Sequence, residues 1–235
     1  MVKKTRQDAA VDEGNMRRQI RSRDELVTWI ESCVLGDLRT VLVGVDAYYA
    51  SPSHMSTDGR PLGSANFLLV AGCCSALDYF AFLFKGGASD EANAKAFIDT
   101  FLEPVDSRYC DVGLIIWRCF RHGTVHRSWP RRIVIEGDES SVVITGAGNE
   151  VMNAHLAPST EFPGDTFLVN GRRLLSDLTL AFDRSFRDWI LTESPDGVLE
   201  RANPEDLLIR VGDTQGRYEV EVVKRWNQEL RATHS

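Results

Sequence analysis

The sequence predicts an α+β protein that is mainly α, in which an antiparallel helical bundle carries a small antiparallel β element in the C-terminal half. Apolar residues recur at helical spacing through the first half of the chain, whereas short β-branched runs appear only later. The chain has 235 residues, 43% of them hydrophobic, which is enough to bury the core of one domain. We therefore expect a flexible polar arm at 1–22, the helical bundle at 23–130, and a C-terminal elaboration at 131–235 that packs on the bundle.

Two helices open the predicted bundle. Ser22 followed by Glu25 forms a capping box at the start of the first helix, and Gly36 is expected to end it. A second helix follows from residue 37 and stops before Pro52. The polar stretch 51–64, which is rich in residues that favour turns, is typical of a loop.

A central helix is predicted over 64–85, where nearly every face is apolar. Gly86 and Gly87 follow it and are expected to end it. Its apolar stretch approaches the length of a membrane span, but Asp78 lies inside it and favours the buried helix of a bundle. We therefore expect no membrane segment.

The rest of the chain is predicted to change from helix to a mixture of strands and helix. A shorter helix begins at Asp90 and is ended by Pro104, and a longer amphipathic helix follows from about residue 106. The runs RRIVIEG and SVVITG flank the acidic turn DES and predict a β-hairpin. Asn170 is placed to cap one more amphipathic helix, and a second hairpin is predicted at 206–223.

Arginine is concentrated in one part of an otherwise acidic chain. The formal net charge of -7 argues against a general nucleic-acid coat, because the average field repels phosphate. No acidic residue lies between Asp111 and Glu136. The arginines within that interval are Arg118, Arg121, Arg127, Arg131 and Arg132. Any contact with phosphate is therefore expected to be local.

The motif FRHGTVH lies at the end of the apolar run LIIWRCF, and its residue types suit phosphate chemistry. Residues five apart are not aligned on a helix, so we expect Arg121 and His126 to converge where the helix ends or bends at Gly123. Arginine forks onto phosphate oxygens, and histidine transfers protons near neutral pH. Cleavage of RNA through its own 2'-hydroxyl needs these two functions and no metal.

FRHGTVH resembles the Arg-polar-x3-His signature of the HEPN superfamily, and the preceding LLVAGCCSALDYFAFLFKG resembles the inner helix of that superfamily. The resemblance covers roughly residues 37 to 130 and implies an α-helical bundle. It also implies a metal-independent endoribonuclease without a cofactor, which leaves a 2',3'-cyclic phosphate on RNA and acts as a homodimer with facing motifs. Members include toxins and antiphage defence effectors, so an antitoxin or another partner protein is expected.

The resemblance also implies a role for each residue of the motif. Arg121 is expected to bind phosphate and His126 to act as the acid or base. His122 occupies the polar position that orients or supplements them. Asp78 matches the acidic residue that the superfamily often carries on an inner helix facing the motif.

Asp78 is a candidate on its own sequence pattern as well. Counting i, i+3 and i+4 places it in an apolar stripe, and a buried carboxylate is costly without a partner. Arg121 or Arg118 is the predicted partner. We group Asp78, Arg118 and Arg127 as substrate-binding residues. The run Arg127, Arg131 and Arg132 is either solvated surface or a contact with the RNA backbone.

Each of these interpretations has an alternative. Arg121 and His126 are also typical of a basic helix end, because positive charge interacts favourably with the C-terminus of a helix. Trp117 and Trp129 suit either stacking on bases or packing in the core. The whole chain is alternatively a non-catalytic HEPN-like module that binds a protein or a nucleotide.

The five cysteines are odd in number and lack the paired short spacing of a zinc site. They are typical of a reduced protein. The polar N-terminus has no apolar signal segment. We therefore expect a cytoplasmic protein without a metal ion.

Overall fold

The structure is a computed structural model, and it describes residues 20–50, 65–87, 90–127, 133–135, 138–145, 154–159 and 166–203. Within these ranges, side chains are described except at 121–145, 158–159 and 166–167. The predicted polar arm up to residue 19, the predicted loop at 51–64 and the second predicted hairpin lie outside the described residues.

The described residues are mainly helical, as the sequence predicts. The helices are α1 (Arg23–Trp29), α2 (Leu35–Ala50), α3 (Asn66–Lys85), α4 (Glu91–Phe97), α5 (Tyr109–Arg127), α6 (Gly171–Ala181) and α7 (Val198–Ala202). Single π-helical segments extend several of them, at Ile30–Val34, Ile98–Leu102, Phe182–Phe186 and Trp189–Glu193. The strands are β1 (Ile133–Ile135), β2 (Asp138–Thr145), β3 (Ala157–Ser159) and β4 (Thr166–Asn170).

The first helix begins where the capping box predicts. The Ser22 side chain accepts a hydrogen bond from the Glu25 amide (3.1 Å), and the Glu25 carboxylate accepts one from the Arg21 amide (2.8 Å). The prediction that Gly36 ends this helix is wrong, because the π-helical segment Ile30–Val34 joins α1 directly to α2. A π turn keeps the backbone hydrogen-bonded, and one glycine costs a helix only about 1 kcal/mol, so Gly36 does not interrupt it.

Helix α3 lies at the centre of the bundle and packs against α2, α4, α5, α6 and α7. It ends as predicted, since Gly86 and Gly87 have φ of +73° and +75°. Among the described residues it is the one helix long and apolar enough to cross a membrane, and 50% of that apolar window is buried inside the protein.

A cluster of aromatic rings forms the part of the core that joins α3, α4 and α6. Phe80 of α3 lies 5.8 Å from Phe97 and 5.3 Å from Phe186, measured between ring centroids. Phe186 also stacks on Trp189 at 5.4 Å. Buried rings of this kind contribute both apolar area and pairwise contacts of about 1 kcal/mol each. The cluster therefore fixes α6 to the bundle.

Helix α6 shows that the C-terminal half contributes to the same core. Asn170 caps it as predicted, and its side chain accepts a hydrogen bond from the Arg173 amide (3.1 Å). Its apolar face is buried, with Leu174 and Leu178 in α6 and Phe182 directly after it. The described residues up to 202 belong to one compact unit.

The strands form a sheet of order β1-β2-β4-β3. The predicted hairpin is present as the antiparallel pair β1 and β2, although the residues DES expected in its turn already belong to β2, since Ile135 pairs with Asp138. The prediction of an antiparallel element is wrong for the central pair, because β2 and β4 are parallel. The physical reason is that β3 runs back along the far edge, so the chain reverses once more before β4 enters between β2 and β3.

Candidate functional site

The motif FRHGTVH occupies the last turns of α5, whose backbone is helical as far as Arg127. The predicted break at Gly123 is therefore wrong, because the helix continues through it; glycine interrupts a helix only where the backbone leaves the helical region. In an uninterrupted helix, positions 121 and 126 are about 140° apart around the axis, so the backbone places them on different faces. His122 and His126, four residues apart, lie on one face instead.

The predicted site residues differ in what the structure describes. For the four from 121 onwards it describes backbone position but not side-chain geometry: Arg121, His122, His126 and Arg127. Asp78 and Arg118 have described side chains. The contacts of these two residues therefore show which elements lie next to α5 just before its last turns.

Asp78 lies on α3 and is half-buried, as its predicted position in an apolar stripe requires. Its carboxylate accepts a hydrogen bond from the indole N–H of Trp117 (3.3 Å), a residue that is 2% exposed. Trp117 is therefore part of the core and is not available to stack on a base. Because Arg121 follows Trp117 by four residues, its helical position lies one turn beyond this contact.

Arg118 is not bonded to Asp78, contrary to one of the two predicted pairings. It lies on the exposed side of α5 and forms an ion pair with Glu91 of α4, with Nε 2.7 Å from Oε2. The hydrogen bond from Arg118 lowers the pKa of Glu91. The physical reason is helical geometry, since Arg118 and Trp117 are about 100° apart around the axis and cannot both face α3.

Three buried cysteines lie near Asp78 and do not form a metal site. Burial raises the pKa of the Cys73 and Cys74 thiols, and the neighbouring Cys119 and Asp78 raise that of Cys74 further. These thiols therefore stay protonated near neutral pH and behave as small core residues. Among the described residues, no group of three or more His, Cys, Asp and Glu side chains is placed to hold a metal ion.

A buried polar cluster that the sequence analysis did not predict joins α5 to α6 and to the sheet. The Tyr109 hydroxyl lies 3.1 Å from His155 Nε2 and donates a hydrogen bond to Asp177 Oδ2 (3.0 Å). His155 Nδ1 accepts a hydrogen bond from the Asn170 amide (3.0 Å). We call these residues the Tyr109 cluster.

The hydrogen bonds of the Tyr109 cluster fix the tautomer of its histidine. Because the Asn170 amide can only donate, Nδ1 of His155 must be unprotonated, and a neutral ring then carries its proton on Nε2. Burial and the charge of Asp177 raise the pKa of Tyr109 well above its ordinary value, so its hydroxyl remains a donor. The cluster is closed and nearly inaccessible, with Tyr109 1%, His155 4% and Asp177 7% exposed.

One side of the Tyr109 cluster is connected to the surface by Arg108. Its guanidinium donates to the carbonyl of His155 (2.6 Å) and, through Nε, to the Asp106 carboxylate (2.9 Å). This arrangement positions the start of α5 rather than a reacting group. The sequence did contain one signal for the Tyr109 cluster, since Asp177 lies among apolar residues on the buried face of α6.

One face of α5 offers several groups for chemistry at successive turns. Arg118, His122 and His126 are spaced by four residues, so a guanidinium position is followed by two imidazole positions along that face. Arg121 lies on the side nearer to α3, one turn beyond Trp117.

The chain matches no protein-family model, no curated protein sequence and no solved structure.

Proposed function

We propose that this chain is a metal-independent endoribonuclease of the HEPN type, which cleaves RNA by attack of the 2'-hydroxyl and leaves a 2',3'-cyclic phosphate. The observation that carries the proposal is the order of groups along α5. The Trp117–Asp78 contact with the inner helix is followed one turn later by Arg121 and then by the two histidine positions. The mainly helical bundle around an apolar central helix supports the same assignment.

The reaction needs two proton transfers and a fixed positive charge. One imidazole removes the 2'-proton and the other protonates the leaving 5'-oxygen, while a guanidinium stabilises the charge that develops on phosphorus. His122 and His126 share a face of α5, so they suit the two proton transfers. Position 121 of the same helix lies on another face, about 140° from position 126 around the axis.

A second copy of the chain would complete this site. If two α5 helices face each other, Arg121 of one copy can approach His126 of the other, which is the arrangement that the HEPN resemblance implies. Exposed apolar side chains on α2 and α3 suit such an interface, with Val43 67% and Leu68 62% exposed. We therefore propose a homodimer that acts on RNA in the cytoplasm, as a toxin or a defence effector.

The second candidate is a non-catalytic HEPN-like module that binds a protein or a nucleotide. The same exposed apolar side chains favour it, because an antitoxin or another partner protein would also cover Val43 and Leu68. The two candidates differ at His126. A nuclease needs this imidazole for turnover, whereas a binding module does not.

The test is incubation of the purified chain with end-labelled mixed RNA in excess EDTA. Fragments with 2',3'-cyclic phosphate ends are expected from the parent and from the control Arg184→Ala, which removes an exposed arginine outside α5. Arg121→Ala and His126→Ala should cleave at least about 100-fold more slowly while keeping the circular dichroism of the parent.

Two other outcomes would contradict the proposal. If none of the proteins cleaves any of several structured and single-stranded RNAs, the binding module is favoured. If all of them cleave equally, the activity does not come from this motif.

A further inference from the structure

A cleft of about 180 Å³ lies on the outer side of the bundle, between α5 and the helix formed by α4 and its π-helical extension. Ile98, Leu114 and Ile115 provide its apolar lining, and charged residues surround them. The volume is below the roughly 300 to 1,000 Å³ of sites for drug-sized ligands. The cleft therefore suits a single ring system better than a whole nucleotide.

The α5 side of the cleft carries opposite charges at its two ends. Asp111 and Arg118 are seven residues apart, so they lie on one face of the helix and are separated by about 10.5 Å along its axis. Leu114 and Ile115 lie between them on the same face. A ligand on this surface would meet a carboxylate at one end, an apolar floor in the middle and a guanidinium at the other end.

The charges around the cleft favour a neutral ligand. Lys95 and Arg118 face Asp99 and Asp111, and Glu91 already pairs with Arg118, so the cleft has no excess of positive charge with which to hold a phosphate. Lys95 is already bonded to both oxygens of Asp99, at 2.9 and 2.6 Å. This leaves Asp111 and Arg118 as the groups available to recognise a ligand.

Both of these groups have bonding capacity to spare. Among the described residues, the Asp111 carboxylate accepts a side-chain hydrogen bond from the Cys110 thiol (3.3 Å), which is a weak donor. Arg118 uses Nε and one terminal nitrogen for Glu91, and a guanidinium has five N–H donors in all. A ligand with donors on one edge and acceptors on another would bind the remaining acceptor sites of Asp111 and the remaining N–H donors of Arg118.

From this arrangement we infer that the cleft is a subsite for guanine. Guanine is planar and neutral, its O6 and N7 accept hydrogen bonds from arginine, and its N1–H and N2–H groups on the other side can donate to a carboxylate. Its faces would contact Leu114 and Ile115. The role in RNA cleavage rests on the proposed function, because the cleft lies on α5 just before the motif and His122 follows Arg118 by one turn. A guanine held there would direct cleavage to a bond beside it.

The first experiment measures binding of GMP, AMP, CMP and UMP to the full chain by isothermal titration calorimetry. The phosphate and ribose are common to all four, so differences report the base. We expect GMP to bind at least tenfold more tightly than the others.

Asp111→Asn should remove this preference, because an amide N–H2 would face the donors of guanine, whereas the control Asp183→Asn, an exposed aspartate outside the cleft, should keep it. Equal binding of the four nucleotides, or an unchanged preference in Asp111→Asn, would overturn the inference.

A second experiment separates RNA from free guanine nucleotides as the source of the base. Non-cleavable 2'-O-methyl RNA hexamers with a single guanine or adenine compete against GTP for the cleft. Tighter binding of the guanine hexamer supports a substrate subsite, whereas GTP binding tenfold tighter than the hexamer would overturn it. RNA cleavage without any guanine preference would contradict the subsite alone, and guanine binding without RNA cleavage would contradict the proposed ribonuclease alone.

Discussion

At the scale of single residues, the Tyr109 cluster is a buried, hydrogen-bonded group whose members are far apart in the sequence. Hydrogen-bond partners are found for the Tyr109 hydroxyl, for both ring nitrogens of His155 and for one carboxylate oxygen of Asp177. The members of the cluster come from α5, the segment before β3, the end of β4 and α6. Buried groups of this kind stabilise a fold mainly because leaving any one of them without a partner is costly. Its stability effect can therefore be tested by removing a single oxygen.

Replacing Tyr109 with Phe removes the hydroxyl that contacts both His155 and Asp177. We expect the free energy of unfolding to fall by about 2 kcal/mol, since two buried polar groups lose a partner. Urea denaturation followed by circular dichroism measures it. Tyr79→Phe is the matched control, because burial raises the pKa of Tyr79 to about 12 but no hydrogen bond to its hydroxyl is seen among the described residues. Equal losses in the two variants would show that the cluster adds no stability.

Asp106 gives the protein a predicted dependence on acid pH. Hydrogen bonds from Arg108 lower the pKa of Asp106 from 3.8 to about 2. Because the folded-state pKa is lowered, the stabilisation is complete above the ordinary pKa and is lost as the pH falls towards 2. Asp106→Asn should cost about 1 kcal/mol at pH 6, less than the full shift implies because the Arg108 side chain is 47% exposed.

The difference between Asp106→Asn and the parent should then shrink as urea denaturation is repeated at lower pH, and it should be nearly absent at pH 2. A difference that stays constant from pH 6 to pH 2 would mean that the ion pair with Arg108 does not contribute to stability.

Residues of the candidate site were predictable from the sequence only where a local pattern marks them. Asp78 stands out because it interrupts an apolar stripe, and the structure gives it a buried neighbour in Trp117. His155 carries no such mark, because its partners are 15 to 46 residues away and meet it only through tertiary packing. Sequence spacing alone could not have found it.

At the scale of helices, local signals predicted starts better than ends. Ser22, Asp90 and Asn170 cap their helices as expected, because a cap bonds an amide only three residues away. Gly36 and Gly123 were expected to end or bend helices and do neither. A glycine weakens a helix by only about 1 kcal/mol, and packing on the bundle easily exceeds that.

Gly86 is a helix end that the backbone does require. Its φ of +73° and ψ of -171° fall in a region that side chains with a Cβ avoid, and a Cβ there would lie 2.8 Å from Nη1 of Arg201. Gly86→Ala should therefore lower the free energy of unfolding by about 2 to 3 kcal/mol. Gly87→Ala is the comparison, because its φ is +75° but a Cβ meets nothing within 4 Å, and we expect a loss of about 1 kcal/mol. Chemical denaturation measures the free energy of unfolding of both variants. Equal losses of this free energy would mean that the contact with Arg201 adds nothing to the cost at Gly86.

At the scale of the whole molecule, residues on both sides of residue 130 contribute to one core. Phe182 and Phe186, in the π-helical extension of α6, pack directly on Phe80 of α3, so the helical bundle is completed by the C-terminal half. Composition changes near residue 130, but composition reports only the local preference for strand or helix. Which helix fills the last side of the core depends on contacts between residues about 100 apart.

The homodimer is the whole-molecule prediction on which the proposed site depends. Leu68 is 62% exposed on an otherwise apolar helix, so burial against a second copy would stabilise the pair. Sedimentation equilibrium from about 1 to 100 µM should show a dimer, and the thermal midpoint should rise with concentration. Leu68→Asp should shift the chain to monomer and lower RNA cleavage in proportion to the dimer lost. Ala92→Asp, which adds the same charge at an exposed position of α4, should do neither. A monomer that cleaves RNA at full rate would require Arg121, His122 and His126 of one chain to form the whole site, and α5 would then have to bend at Gly123.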